Sequence, residues 1–205
     1  MKKQNLAIFF LFVFIITAIF PLETFAQSSR EWRGYSSSLR RKINKLDDHK
    51  ISEIPVPILF GVTPDNIYPD FGAPRGGGTR KHAGQDILAP RGAPIVSPTE
   101  AVVIRVGDGD SAGNYVYTAN PGGETFAYMH LDKMSELDEG DILEKGDLIG
   151  YVGDTGNAKG GVMHLHFEIR NRKGPTDPYP RLTRIFPLTD KIKSLEDIIN
   201  NADDE

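Results

Sequence analysis

Of the five histidines in this 205-residue chain, four are spaced so that they could do chemistry together. His82-Ala83-Gly84-Gln85-Asp86 sets an imidazole and a carboxylate four residues apart around a glycine. His164-Leu165-His166-Phe167-Glu168 has the composition of a strand, in which successive side chains alternate faces. His164, His166 and Glu168 then share one face, and Leu165, Phe167 and Ile169 share the other, which is apolar and faces a core. Two imidazoles leave one rigid surface about 7 Å apart at the backbone. That suits two metal ligands, or one ligand beside an acid–base group. Between the clusters lies His130, in Tyr128-Met129-His130-Leu131, where alternation puts Tyr128 on the same face, either to orient His130 or simply to pack. His49 sits in the charged run Asp47-Asp48-His49-Lys50 and is assigned no role.

Two histidines and an aspartate form a nitrogen and oxygen donor set that suits Zn2+. Three protein ligands leave a fourth position for water, the arrangement of a catalytic zinc, which lowers the bound water's pKa to about 7. Gly84 is expected to let a bent strand or loop turn so that His82 and Asp86 reach one ion. The chain has no cysteine, which excludes thiolate-bound zinc, iron–sulfur clusters and a disulfide scaffold. A formal charge of -4 argues against general nucleic-acid binding.

These side chains need a frame. Short strand-like runs cover 95–96, 101–106, 115–117, 125–131, 148–152 and 164–169, punctuated by a share of the 21 glycines and 14 prolines. Such a pattern predicts a mainly β domain, an antiparallel β-sandwich or partly open barrel, with short flanking helices. Residues 1–26 read as a secretory signal peptide: Lys2 and Lys3, an uncharged run over 6–22, a break at Pro21 and a cleavage site ending at Ala26. The rival reading is an uncleaved membrane anchor, since the run reaches the lower end of spanning length. With the signal cleaved no stable membrane insertion is expected. Either way the remainder works outside the cytoplasm, in the periplasm, cell envelope or extracellular space. Residues 27–50 form a basic segment, seven Arg or Lys against three acids, with a short helix expected from an N-cap at Ser38 and Leu39, Ile43 and Leu46 at helical spacing. Packing on the main domain is its expected role, ahead of contact with an anionic envelope polymer. Residues 51–185 are the expected catalytic domain, opening on a Pro- and Gly-rich approach. Residues 186–205 form an acidic tail with a short helix expected from Ser194 and a frayed end.

At the histidine clusters the chain resembles the lysostaphin-type (LytM-like) zinc metallopeptidases that cut peptidoglycan peptides. The likeness runs from about Gly61 to Arg170. It rests on Phe71-Gly72-Ala73-Pro74-Arg75, Arg80-x-His82-x-Gly84-x-Asp86, Gly92-x-Pro94-Ile95, Gly113-Asn114-Tyr115-Val116, Tyr128-x-His130-Leu131, Lys145-Gly146-x-x-Ile149-Gly150, Gly153-x-Thr155-Gly156 and the closing His-Leu-His-Phe-Glu. The resemblance implies the duplicated-hybrid-motif type of fold, one zinc on His82, Asp86 and His166, and catalytic roles for His164 and His130. It further implies that His164 acts as the base and His130 as an oxyanion donor or support, an order that spacing alone leaves open. Peptidoglycan peptides are the implied partner. Gln85 departs from the pattern, where an apolar residue is commoner, as does Ser97-Pro98-Thr99-Glu100-Ala101, where a small Gly-containing turn is usual. Glu168 is read as an ordinary exposed strand carboxylate, with support of His166 as the sharper alternative. A non-catalytic adaptor of the same fold, binding wall or activating an amidase, is the competing function; such relatives lack some zinc-site residues, and none is missing here. A carrier or phosphotransfer domain is a weaker rival that has no use for four histidines.

Overall fold

The computed structural model describes Trp32 and residues 34–203. The segment read as a signal peptide, residues 1–26, lies outside the described residues. Thirteen strands follow in order: β1 (Ile54–Pro55), β2 (Pro74–Arg75), β3 (Arg80–Lys81), β4 (Gln85–Leu88), β5 (Pro94–Val96), β6 (Ala101–Gly107), β7 (Asn114–Asn120), β8 (Glu124–Met134), β9 (Ile142–Leu143), β10 (Leu148–Val152), β11 (His164–Asn171), β12 (Gly174–Thr176) and β13 (Leu182–Arg184). Helix α1 (Ser37–Ile43) precedes them and helix α2 (Leu188–Asp203) closes the chain. Nine strands make one antiparallel sheet in the order β12-β11-β8-β7-β6-β9, with β4 beside the first half of β11 on the same side as β12 and β10 joining β8 to β5. The expected mainly β architecture with flanking helices is what the chain adopts; the sheet does not close into a barrel.

The core lies where alternation puts it. Leu165, Phe167 and Ile169 are fully buried and pack with Ile87, Ile95, Val116, Phe126 and Leu131. The near-continuous apolar run of β6 has a physical cause: this strand is covered on both faces. Ala101 and Val103 enter the main core, while Val102 and Ile104 meet Leu39 and Ile43 of α1 together with Trp32. Helix α1 is therefore a packing helix, its apolar residues four apart on the inward side. Its N-cap is Ser36, two residues before the expected Ser38, with Leu39 N donating to Ser36 Oγ at 3.2 Å.

Helix α2 begins at Leu188, six residues before the expected start. Ser194 caps nothing. It is buried inside the helix, its hydroxyl 2.9 Å from the carbonyls of both Gly146 and Asp190. Leu195 packs on Leu59, Val96 and Phe186, so the tail is docked through its first half. No helix among the described residues is long and apolar enough to cross a membrane.

Candidate metal and catalytic site

β11 places the constellation. Its first half is flanked by β4 and its middle by β8, with His166 opposite Asp86 on one side and Met129 on the other. Asp86 belongs to β4, and His82 precedes that strand by one short turn. Gly84 sits between them without a left-handed backbone. Its glycine requirement is one of space: a Cβ there would lie 2.4 Å from the Phe167 carbonyl and 3.0 Å from His166 Nε2. The chain bends at Gly84 as expected, and what demands glycine there is close approach to β11.

Three donor atoms converge. His82 Nε2 is 2.9 Å from His166 Nδ1 and 3.0 Å from Asp86 Oδ1, and His166 Nδ1 is 2.8 Å from Asp86 Oδ1. One ion at the ordinary zinc–ligand distance of about 2.0 Å can touch all three. The outer nitrogens explain which atoms face inward. His82 Nδ1 donates towards Asp70, whose carbonyl and carboxylate oxygens lie at 3.1 and 3.2 Å. His166 Nε2 donates to Glu168 Oε1 at 3.1 Å. The inward nitrogens are left with lone pairs, facing each other and a carboxylate oxygen. Three acceptors this close repel unless a cation lies among them, so the residues fit a divalent metal ion. Without metal a proton serves. Burial opposes a charged His166, but hydrogen bonds and the charges of Asp86 and Glu168 outweigh it and raise its pKa to about 9. Burial would likewise raise Asp86, yet His166 and His82 hold it well below the usual carboxylate range.

A support ring surrounds this triad. Asp70 Oδ1 accepts from Asp86 N at 3.2 Å, and Arg75 Nη2 donates to Asp70 Oδ2 at 2.7 Å and to Asp86 Oδ2 at 3.0 Å. Glu168 is no exposed strand carboxylate: it is 5 % exposed and pairs with both His166 and Arg170. Gln85 is fully buried and donates to the Tyr68 carbonyl at 2.8 Å, tying the loop that carries Asp70 to β4. Asp70 escapes sequence reasoning, since nothing in a proline-rich loop marks one aspartate above others; Arg75 falls inside a quoted motif but has no visible chemical partner in it.

The other two imidazoles stand beside the triad. The His130 ring lies 5.0 Å from that of His164 and 5.8 Å from that of His166, and His164 Nε2 is 3.7 Å from Asp86 Oδ1. Their outer nitrogens donate to neutral carbonyls, His164 Nδ1 to Val162 at 2.7 Å and His130 Nδ1 to Thr155 at 2.9 Å. Burial first, then the positive charges of His164 and His166, lower the His130 pKa to about 4. His130 has φ +64°, the one left-handed non-glycine residue among those described. That kink reverses the alternation of β8. Tyr128 and Leu131, three apart, both enter the core, whereas Met129 and His130 line the cleft. Tyr128 therefore packs against Phe167 rather than orienting His130. His49 is exposed and pairs only with Asp47, as its sequence context implies.

The four imidazoles line a cleft of about 580 Å³ together with Arg75 and Arg80. Residues 80–178 match Peptidase family M23. The chain is 31% identical over 152 residues to the peptidoglycan DD-endopeptidase ShyB of Vibrio cholerae serotype O1, covering 74% of this chain and 33% of that protein. It is 35% identical over 99 residues to the DD-carboxypeptidase/endopeptidase Mpg of Neisseria meningitidis serogroup B, covering 48% and 22%. Among solved structures, a putative glycyl-glycine endopeptidase LytM from Ruminococcus gnavus is 31% identical with a TM-score of 0.52, over 78% of this chain and 73% of that one. The catalytic domain of lysostaphin from Staphylococcus simulans is 28% identical with a TM-score of 0.50, over 58% and 94%. Fold and donor group together define a metallopeptidase. The chain belongs to Peptidase family M23, and spans a third or less of the length of these two curated relatives.

Proposed function

We propose that the protein is an exported, zinc-dependent endopeptidase that hydrolyses peptide bonds of bacterial peptidoglycan, in a stem peptide or a cross-bridge, with one zinc per chain held by His82, Asp86 and His166. One observation carries this: four imidazoles share one cleft, each with its outer ring nitrogen hydrogen-bonded to an acceptor, and His82 Nε2, His166 Nδ1 and Asp86 Oδ1 lie within 3.0 Å of one another. An adaptor of the same fold needs no such arrangement. The names of the relatives, DD-endopeptidase and DD-carboxypeptidase/endopeptidase, support the substrate class.

The zinc ion, when bound, supplies Lewis acidity and a more acidic water. His164 Nε2 takes the proton of the attacking water as the water oxygen bonds to the scissile carbonyl carbon. When the C–N bond breaks, His164 returns that proton to the leaving amine. With its Nδ1–H committed to Thr155, His130 is assigned here to accept the second hydrogen of the water at Nε2 and so orient it, in place of the expected oxyanion support. Asp70, Arg75 and Glu168 hold the three ligands in register.

The test is direct. Purified protein is expected to contain about one zinc per chain, to release peptide fragments from peptidoglycan, and to lose then regain this activity on chelation and zinc return, with its circular dichroism unchanged. Full activity in metal-free protein would remove the proposal.

A further inference from the structure

We propose that Arg80 forms a carboxylate-binding subsite at the rim of the cleft, so that the enzyme prefers peptidoglycan peptides with a free carboxylate beside the scissile bond; this rests on the peptidase reading above. The β2–β3 hairpin sets Arg75 directly opposite Arg80 and Pro74 opposite Lys81. Directly opposed residues share a face. Arg75 reaches into the site, so Arg80 is presented over it too, and both line the cleft. Two like charges in opposed positions weaken a hairpin. Arg75 is neutralised by Asp70 and Asp86. The side chain of Arg80, an exposed residue, has no hydrogen-bond or ion-pair partner among the described residues. Nor is a cleft acid left for it: Asp86 is engaged by His82, His166 and Arg75, and Glu168 by His166 and Arg170.

The tip, Gly76-Gly77-Gly78, turns through left-handed backbone at all three positions. A Cβ on Gly76 would stand 3.6 Å from Arg80 Nε, and its φ of +57° favours glycine in any case. An uncompensated guanidinium over a catalytic cleft is a planar fork of donors, and the anion it matches on a peptide is a carboxylate. Two sources exist on a peptidoglycan stem: the terminal α-carboxylate and a side-chain carboxylate.

Zinc-loaded wild type, Arg80→Gln, Arg80→Lys and Lys81→Gln are compared on cross-linked stem-peptide dimers in four forms: all carboxyls free, only the terminal one amidated, only the side-chain ones amidated, and all amidated. Wild type is expected to prefer the free form over one singly amidated form and over the fully amidated form by about tenfold in kcat/KM, the worth of a charge-assisted pair in a partly exposed cleft. The singly amidated form that loses this preference identifies the carboxylate read. Arg80→Gln abolishes the preference by slowing only the preferred peptides, down to the fully amidated rate. Arg80→Lys keeps part of it, and Lys81→Gln keeps all of it. In wild type, but not Arg80→Gln, raising salt narrows the gap. An equal loss on all peptides in Arg80→Gln, or an unchanged preference, overturns the subsite. Zinc-loaded wild type that cuts no form overturns the peptidase reading and the subsite with it.

Discussion

The four imidazoles of the cleft fall into two pairs that differ in what stands behind them. His166 is backed by the Glu168 carboxylate, and His82 by Asp70 through both its carbonyl at 3.1 Å and its carboxylate at 3.2 Å, with Arg75 Nη2 at 3.2 Å. His130 and His164 are backed by the neutral carbonyls of Thr155 and Val162. A carboxylate behind an imidazole makes the inner nitrogen a stronger donor to a metal ion, whereas a carbonyl fixes the tautomer without adding charge and leaves a proton free to come and go at Nε2. On the proposed assignment, the backing partners separate ligands from proton carriers, which alternation along β11 does not, because it puts His164 and His166 on one face.

The difference can be broken at each pair. Removing a ligand has the largest expected effect: His166→Ala is expected to lose most bound zinc and all activity, read as metal content beside turnover. His164→Ala should keep near-stoichiometric zinc and the fold, yet lose about two to four orders of magnitude in kcat, the usual worth of a positioned acid–base group. Loss of zinc from His164→Ala with retention in His166→Ala would reverse the roles. Glu168→Gln and Asp70→Asn keep hydrogen-bond acceptors but remove the backing charge, and each is expected to weaken zinc about tenfold to a hundredfold in competition with a chelator. His130 offers a metal-free reading of the same contrast. Its folded pKa of about 4 lies below the ordinary 6.5, so between those values the unfolded chain binds a proton that the native one does not. Native stability is then lost as pH falls through this window, by up to about 1.4 kcal/mol per pH unit, and His130→Gln removes that slope in urea titrations of stripped protein. The smallest effect on chemistry belongs to the far end of the chain. Deleting residues 191–205 removes Leu195 and buried Ser194, so thermal denaturation should show a lower Tm, while kcat/KM of the folded protein stays near wild type.

Much of this was legible wherever one periodicity governs a segment. β11 obeys its period of two because one face is sealed against the core by Leu165, Phe167 and Ile169, and the match of His82, Asp86 and His166 follows from register with β4. Legibility fails where distant backbone decides. His130 is turned by hydrogen bonds to Ala112 and Thr155, residues 18 and 25 positions away, and no local preference of histidine announces a left-handed φ. Glu168 read as an exposed carboxylate because its burial depends on Arg170 and on neighbouring strands. Helix α2 starts early because Leu188 and Thr189 have no strong local signal, while Ser194, the obvious cap, is drawn inward by Gly146 across 48 residues.

The kink at His130 also bears on how this protein can change. A left-handed non-glycine residue in a strand carries strain of about 1 kcal/mol or more. Selection for stability alone would replace it with asparagine or glycine, which accept φ +64° readily. Variants raised only for heat resistance are therefore expected to converge on position 130 and to emerge robust but slow, so thermal screening of this enzyme needs turnover as a second, simultaneous criterion.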